Sequence, residues 1–171
     1  SMYRAKNGDY RLYTLKERFG SRPLPAVDIV DMRQELKLGN DMSLSIPDRI
    51  AQVAEHIASH NKHGYSQPNR AGDGTKETVA LSDGSKVTIH GGDYDCSEMV
   101  RVCVNCALSG RDSGPIIFMY TGNEDEQLRA QGFTRMGYSA SKVRRGDVLW
   151  VSGHTGIALG GGKQADAHGD E

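Results

Sequence analysis

Apolar residues recur at three- and four-residue intervals at Ile46, Ile50, Val53, Ala54, Ile57 and Ala58. That spacing puts them on one face and predicts a helix. Ser45 suits its N-cap, Pro47 and Asp48 suit its first turn, and the helix is expected to end near His60. The pattern then changes to alternation. Glu77–Leu81 and Lys86–His90 flank Ser82-Asp83-Gly84-Ser85, and an Asp-Gly pair between alternating runs predicts a hairpin. A second helix is expected from Cys96 or Ser97 to about Leu108, stopped by Ser109-Gly110. A third is expected from Asn123 to Gln131, with Gly132 as terminator. Gly146–Val151, His154–Leu159 and Lys163–Ala167 read as strands, with Gly160-Gly161-Gly162 as the turn between the last two and Trp150 as a core residue. Helices followed by locally connected strands make an α+β pattern with a largely antiparallel sheet.

The chain changes character near residue 42. Residues 1–41 carry 8 basic and 6 acidic groups, against 13 and 16 in residues 42–171. Arg22-Pro23-Leu24-Pro25 predicts an extended stretch, Ala26–Val30 a short strand, and Asp31–Lys37 a turn or two of helix. Forty residues of this kind cannot bury a core alone. They are read as an appendage to a domain spanning 42–171.

Composition narrows the class. At 171 residues, 37% hydrophobic and 25% charged, the chain fits one soluble domain with a short addition. No apolar run approaches the roughly 18 residues of a membrane span, and no signal-peptide pattern opens the chain, so synthesis in the cytoplasm and no membrane partner are expected. A net charge of −1 lacks the basic excess of a general nucleic-acid binder, so no nucleic-acid partner is expected either. Cys96, Cys103 and Cys106 are an odd, clustered set and not a disulfide framework.

Cys96 falls in the first turn of a predicted helix, where the dipole and unpaired N–H groups favour a thiolate and could hold an oxyanion. A cysteine nucleophile needs an imidazole, and His154 stands after a glycine at the head of a short strand. Asp166 lies on the next strand, where antiparallel pairing brings its carboxylate toward that ring as an orienting group.

Asp95-Cys96-Ser97, followed by Arg145-Gly146-Asp147-Val148 and Gly153-His154-Thr155-Gly156-Ile157-Ala158-Leu159-Gly160, resembles the NlpC-type papain-like cell-wall hydrolases, most closely the phage endolysin amidase branch. His63-Gly64-Tyr65-Ser66-Gln67-Pro68-Asn69-Arg70 resembles the loop before the nucleophile in that branch, and the likeness spans about residues 45–168. It implies a papain-like α+β fold and cleavage of an amide bond of bacterial peptidoglycan, either within the stem peptide or between muramic acid and L-alanine. The expected place of action is the bacterial cell wall. The resemblance maps Cys96 to nucleophile, His154 to base and Asp166 to the third polar position, with His168 as the fallback. It places Tyr65, Ser66, Asp95 and Ser97 around the substrate, and it calls for no cofactor or metal. Two departures stand out: the Val79–Ile89 hairpin reads as an insertion that rims the cleft, and a final strand is expected to be lacking after Asp166. Tyr10–Leu15 and Arg22–Arg33 resemble a connecting stretch of the primosomal DNA helicase family, without its nucleotide-binding loop or metal-binding cysteines, and carry no assigned activity.

Two alternatives remain open. A non-catalytic binding or regulatory module would keep the fold without turnover. A zinc or thiol-redox protein would use the C-x-x-C of Cys103 and Cys106, although both share a helical face with Cys96 and suit core packing. His56, His60 and His63 sit at i, i+4 and i+7, a spacing that resembles a metal-binding face but equally suits the last turn of a helix.

Overall fold

A computed structural model describes residues 10–14, 28–31, 44–60 and 62–169. Among the described residues three helices, α1 (Ile46–Ser59), α2 (Cys96–Ser109) and α3 (Glu124–Ala130), accompany eight strands. The strands are β1 (Tyr10–Thr14), β2 (Asp28–Asp31), β3 (Lys76–Ala80), β4 (Lys86–His90), β5 (Thr134–Gly137), β6 (Val148–Val151), β7 (His154–Gly160) and β8 (Lys163–Ala167). Six of them form one antiparallel sheet in the order β1-β8-β7-β6-β2-β5, and β3 and β4 form a separate hairpin. The molecule is therefore α+β, with antiparallel strands packed against helices.

Both long helices begin and end where their sequence signals stand. The Ser45 side chain accepts from the Asp48 N–H at 3.2 Å, and α1 buries Ile46, Ile50, Val53, Ala54, Ile57 and Ala58. Asp95 caps α2 by accepting from the Glu98 N–H at 2.7 Å, and Gly110 closes it in the left-handed region at φ 76°. The two helices pack on one another, and α2 lies against β7. Their shared core takes in Val79, Val87 and Ile89 of the hairpin, Met119, Leu128, Val148 and Ile157. Cys103 and Cys106 are free, buried thiols within it, as the helical spacing implied.

The Arg145-Gly146-Asp147 stretch holds α1 to the sheet. Arg145 makes a two-pronged pair with Glu55, at 2.5 and 2.8 Å, and donates to the Leu159 carbonyl. Gly146, at φ 87°, passes so close to Pro47 that a Cβ would stand 2.2 Å from its carbonyl oxygen. Asp147 accepts from the Arg144 N–H at 2.7 Å. This triplet is architectural.

Several expectations change. The strand expected over Ala26–Val30 runs over Asp28–Asp31, so Asp31 is extended, and residues 32–37 of the expected helical turn lie outside the described residues. The proline stretch at 22–25 also lies outside them. Strands β1 and β5 were not anticipated, because neither Tyr10–Thr14 nor Thr134–Gly137 shows a clean apolar alternation. Trp150 is half-buried and not a core residue: its indole donates to the Thr121 carbonyl at 2.9 Å and Arg135 lies over the ring. The three histidines do not share a helical face. His60 is the exposed C-cap of α1, whereas His63 sits in the following loop and is 1% exposed.

Candidate active site

Cys96 opens α2, and the backbone N–H groups of Thr155, the residue after His154, and of Ser97 act on its sulfur to favour the thiolate. Packing of α2 against β7 brings these two elements together. His154 Nε2 lies 2.6 Å from Asp166 Oδ2, across the β7–β8 pair. Gly156 permits that approach, since a Cβ there would stand 2.9 Å from the Ala165 carbonyl oxygen and 3.1 Å from the Asp166 Cβ. With Nε2 facing Asp166, Nδ1 is the second nitrogen of the ring.

Asp166 is fully buried. Burial works to raise its pKa, but hydrogen bonds and positive charge from His154 and His168 prevail and hold it below the usual carboxylate value. His168 Nδ1 is 3.4 Å from the second carboxylate oxygen, and Gln164 donates to Oδ2 at 3.4 Å. His168 thus stands beside the carboxylate. One atom each from His154, Asp166 and His168 lies within 4.8 Å of the others, so this trio could also hold a cation.

The thiol differs from the expectation. Burial pushes Cys96 up to about 11, and the carboxyls of Asp95 and Glu124 add to the rise, against the lowering effect of the Thr155 and Ser97 N–H groups. Desolvation therefore outweighs the helix terminus, and the resting sulfur is protonated at neutral pH.

The residues expected around the substrate divide. Tyr65 is near the sulfur: burial, then the charges of Cys96 and Asp95, raise its pKa. Its loop is fixed by a bridge to Tyr94, with Ser66 N–H donating to the Tyr94 carbonyl. The Ser66 hydroxyl accepts from the Asn69 N–H at 3.1 Å and closes a turn. Asp95 and Ser97 are buried and face inward. Ser97 donates to Asp95 at 3.0 Å, while Arg70 reaches Asp95 at 2.5 Å, Ser97 at 3.1 Å and the Met119 carbonyl. Their side chains are engaged within the loop that leads into α2. Beside that network Ile117, Phe118 and Tyr120 are exposed, with the Arg70 guanidinium 5.3 Å from the Phe118 ring. The Val79–Ile89 hairpin buries Val79, Val87 and Ile89 in the shared core.

Sequence reasoning missed Glu124. It is fully buried at the start of α3, 2.6 Å from the Thr155 hydroxyl, and burial pushes it up to about 8. Its second oxygen has no hydrogen-bond partner among the described residues. The Thr155 hydroxyl, with one proton, faces both Glu124 and the Leu149 carbonyl at 3.3 Å. A proton on Glu124 satisfies both contacts. Nothing in Asn123-Glu124-Asp125-Glu126 separates this acid from an ordinary acidic helix start.

A sulfur, an imidazole with one nitrogen committed to a carboxylate, and backbone N–H groups at a helix head are the parts that thiol-dependent acyl transfer requires. The endolysin-like domain model matches residues 40–165, and the chain belongs to that family. Membership assigns the chain to a lysin-like class whose general action is on the cell wall. The chain is also 39% identical over 72 residues to the replication restart protein PriA of Bacillus subtilis (strain 168), covering 39% of this chain and 9% of PriA. It is 43% identical over 77 residues to PriA of Synechocystis sp. (strain ATCC 27184 / PCC 6803 / Kazusa), covering 44% of this chain and 9% of that protein. The chain spans about a tenth of the length of these curated relatives, and each match is longer than the 41-residue first segment. No solved structure matches. Among the described residues no helix is long and apolar enough to cross a membrane.

Proposed function

We propose that this chain is a cysteine hydrolase that cleaves an amide bond of bacterial peptidoglycan. The observation that supports the reading is that the Thr155 N–H, next to His154, acts on the Cys96 sulfur while His154 Nε2 lies 2.6 Å from Asp166 Oδ2. Because the resting sulfur is protonated, His154 Nδ1 takes its proton as the sulfur attacks the amide carbonyl carbon. Asp166 stabilises the imidazolium that forms. The Cys96 N–H, which has no intrahelical partner by position, faces the oxyanion. Collapse of the tetrahedral species breaks the C–N bond, and His154 returns its proton to the leaving amine. Water, deprotonated by His154, then attacks the thioester, releases the carboxylic acid and restores the thiol. Tyr65 and the exposed Phe118 and Tyr120 are the surfaces offered to the stem peptide.

Digestion of purified peptidoglycan with wild type and Cys96→Ala, followed by mass analysis, tests this. Wild type is expected to release fragments with new amine ends that the variant does not produce, and those ends name the bond. Identical digests from both proteins would overturn the reading in favour of a non-catalytic module. The PriA likeness supports a second reading, association with DNA. Fluorescence anisotropy with forked and duplex DNA separates it, since a hydrolase alone leaves the signal unchanged.

A further inference from the structure

We infer that His56, His63 and Glu77 form a zinc site, remote in role from the thiol chemistry, that fastens the Tyr65 loop to the body of the protein. Three segments converge there. His56 comes from the last turn of α1, His63 from the following loop and Glu77 from β3. One donor atom from each lies within 4.8 Å of the other two.

The decisive feature is the His63 ring. It is 1% exposed, and its Nδ1 lies 3.0 Å from the Gly92 carbonyl oxygen. A carbonyl only accepts, so Nδ1 carries the hydrogen and the neutral ring presents a lone pair at Nε2. That nitrogen has no hydrogen-bond partner among the described residues, yet it stands 3.2 Å from Glu77 Oε2. A buried lone pair facing a carboxylate is repulsive unless a proton or a metal cation lies between them.

Zinc fits the chemistry and the spacing. It takes imidazole nitrogen and carboxylate oxygen at about 2.0–2.2 Å, so tetrahedral ligands stand about 3.3 Å apart. The His63 Nε2–Glu77 Oε2 separation of 3.2 Å already has that value, and His56 Nε2 lies 2.7 Å from the other oxygen, Oε1. The three donor atoms lie within 4.8 Å of one another, so the set closes on one ion with side-chain shifts of about an ångström. The Gly92 carbonyl behind His63 is the outer partner that fixes a ligating ring's tautomer. Lys62 Nζ, 3.6 Å from Glu77 Oε1, is the one competing cation among the described residues, and its side chain is 68% exposed and free to swing away. His60 stacks on His56 at 3.9 Å and supports that ring without joining the set. Tyr65 follows His63 by two residues, and Gly92 lies four before Cys96. A metal here would hold both loops of the candidate active site from behind.

The test uses the full chain, stripped with a chelator and titrated with Zn2+ by calorimetry, with metal content measured after gel filtration. Wild type is expected to retain one equivalent and to melt at a higher temperature with zinc than without. Glu77→Gln and His56→Gln are each expected to weaken binding at least about tenfold. Glu77→Gln also supplies an amide donor for His63 Nε2, so it should fold without metal and lose the zinc-dependent rise in melting temperature. His168→Gln is expected to retain the zinc, which separates this site from the trio at His154. Cobalt in place of zinc should give a spectrum without thiolate charge transfer, which excludes the three cysteines. The inference is overturned if wild type retains no zinc. It is equally overturned if zinc persists unchanged in Glu77→Gln and His56→Gln, or leaves on His168→Gln or cysteine alkylation.

Discussion

Two fully buried carboxyls flank the head of β7, and they hold opposite charge states. Asp166, on the β8 side, is anionic because His154 and His168 surround it with hydrogen-bond donors and positive charge. Glu124, on the α3 side, meets only a hydroxyl and the negative field of Asp95, so its proton stays to about pH 8. Burial is the same in both cases. What differs is the neighbours, two imidazoles in one case and a hydroxyl with another carboxyl in the other, and that difference separates a group able to steady an imidazolium from one able only to donate a hydrogen bond.

The largest expected effect comes from making the two sides alike. Asp166→Asn keeps the shape but removes the charge and favours the wrong imidazole tautomer, and should lower kcat on peptidoglycan fragments by about 10³–10⁴-fold. An activity within a few-fold of wild type would mean that Asp166 does not act through His154.

Glu124→Gln should reveal the other acid through stability. A carboxyl whose folded pKa is raised binds more protons folded than unfolded, so its contribution is complete below the unfolded pKa and disappears as pH rises through the folded value. Wild-type stability should therefore fall by up to about 5 kcal/mol between roughly pH 4.5 and 8, the window set by an ordinary carboxyl and the raised value near 8. Glu124→Gln should flatten that decline in urea unfolding measured across the same range. Asp166 acts with the opposite sign: its contribution is present above the unfolded value and is lost as pH falls through its depressed one. An unaltered slope in Glu124→Gln would place the proton elsewhere.

Alkylation of Cys96 by iodoacetamide reads the thiol between them. With burial holding the sulfur near 11, its thiolate fraction at neutral pH is about a hundredfold below that of an ordinary cysteine. The rate should climb steadily through the alkaline range, and a plateau below pH 8 would instead indicate a preformed thiolate–imidazolium pair. The smallest effect is expected from Thr155→Val, which leaves Glu124 Oε1 without its hydroxyl partner. It should cost about 1–3 kcal/mol in urea unfolding and move the Glu124 decline to higher pH.

Features written in local spacing were legible in the sequence. The Ser45 and Asp95 caps, the apolar face of α1, the Asp-Gly hairpin and the succession of β7, turn and β8 all follow from residues within a few positions of one another. The proximity of His154 and Asp166 follows from the same hairpin. Charge states were not legible, because they are set by groups far away in the chain. Cys96 reads as a thiolate from its helix position alone, and becomes a neutral thiol once the chain around it excludes water. His56 and His63 are spaced to share a helical face, but the helix ends at Ser59, and their common partner, Glu77, lies on a hairpin the histidine spacing does not mention. Strand β5 has no apolar stripe to announce it and exists through its pairing with β2.

That pairing has a kinetic side. Strand β2 lies between β5 and β6, with Val30 opposite both Arg135 and Val148, so the middle of the sheet joins positions more than a hundred residues apart. Long loops of this kind must close before their contacts stabilise anything, which places the molecule among slow folders. On a ribosome, Asp28–Asp31 emerges before β5 and β6, so until they follow, two strand edges are open to other partners.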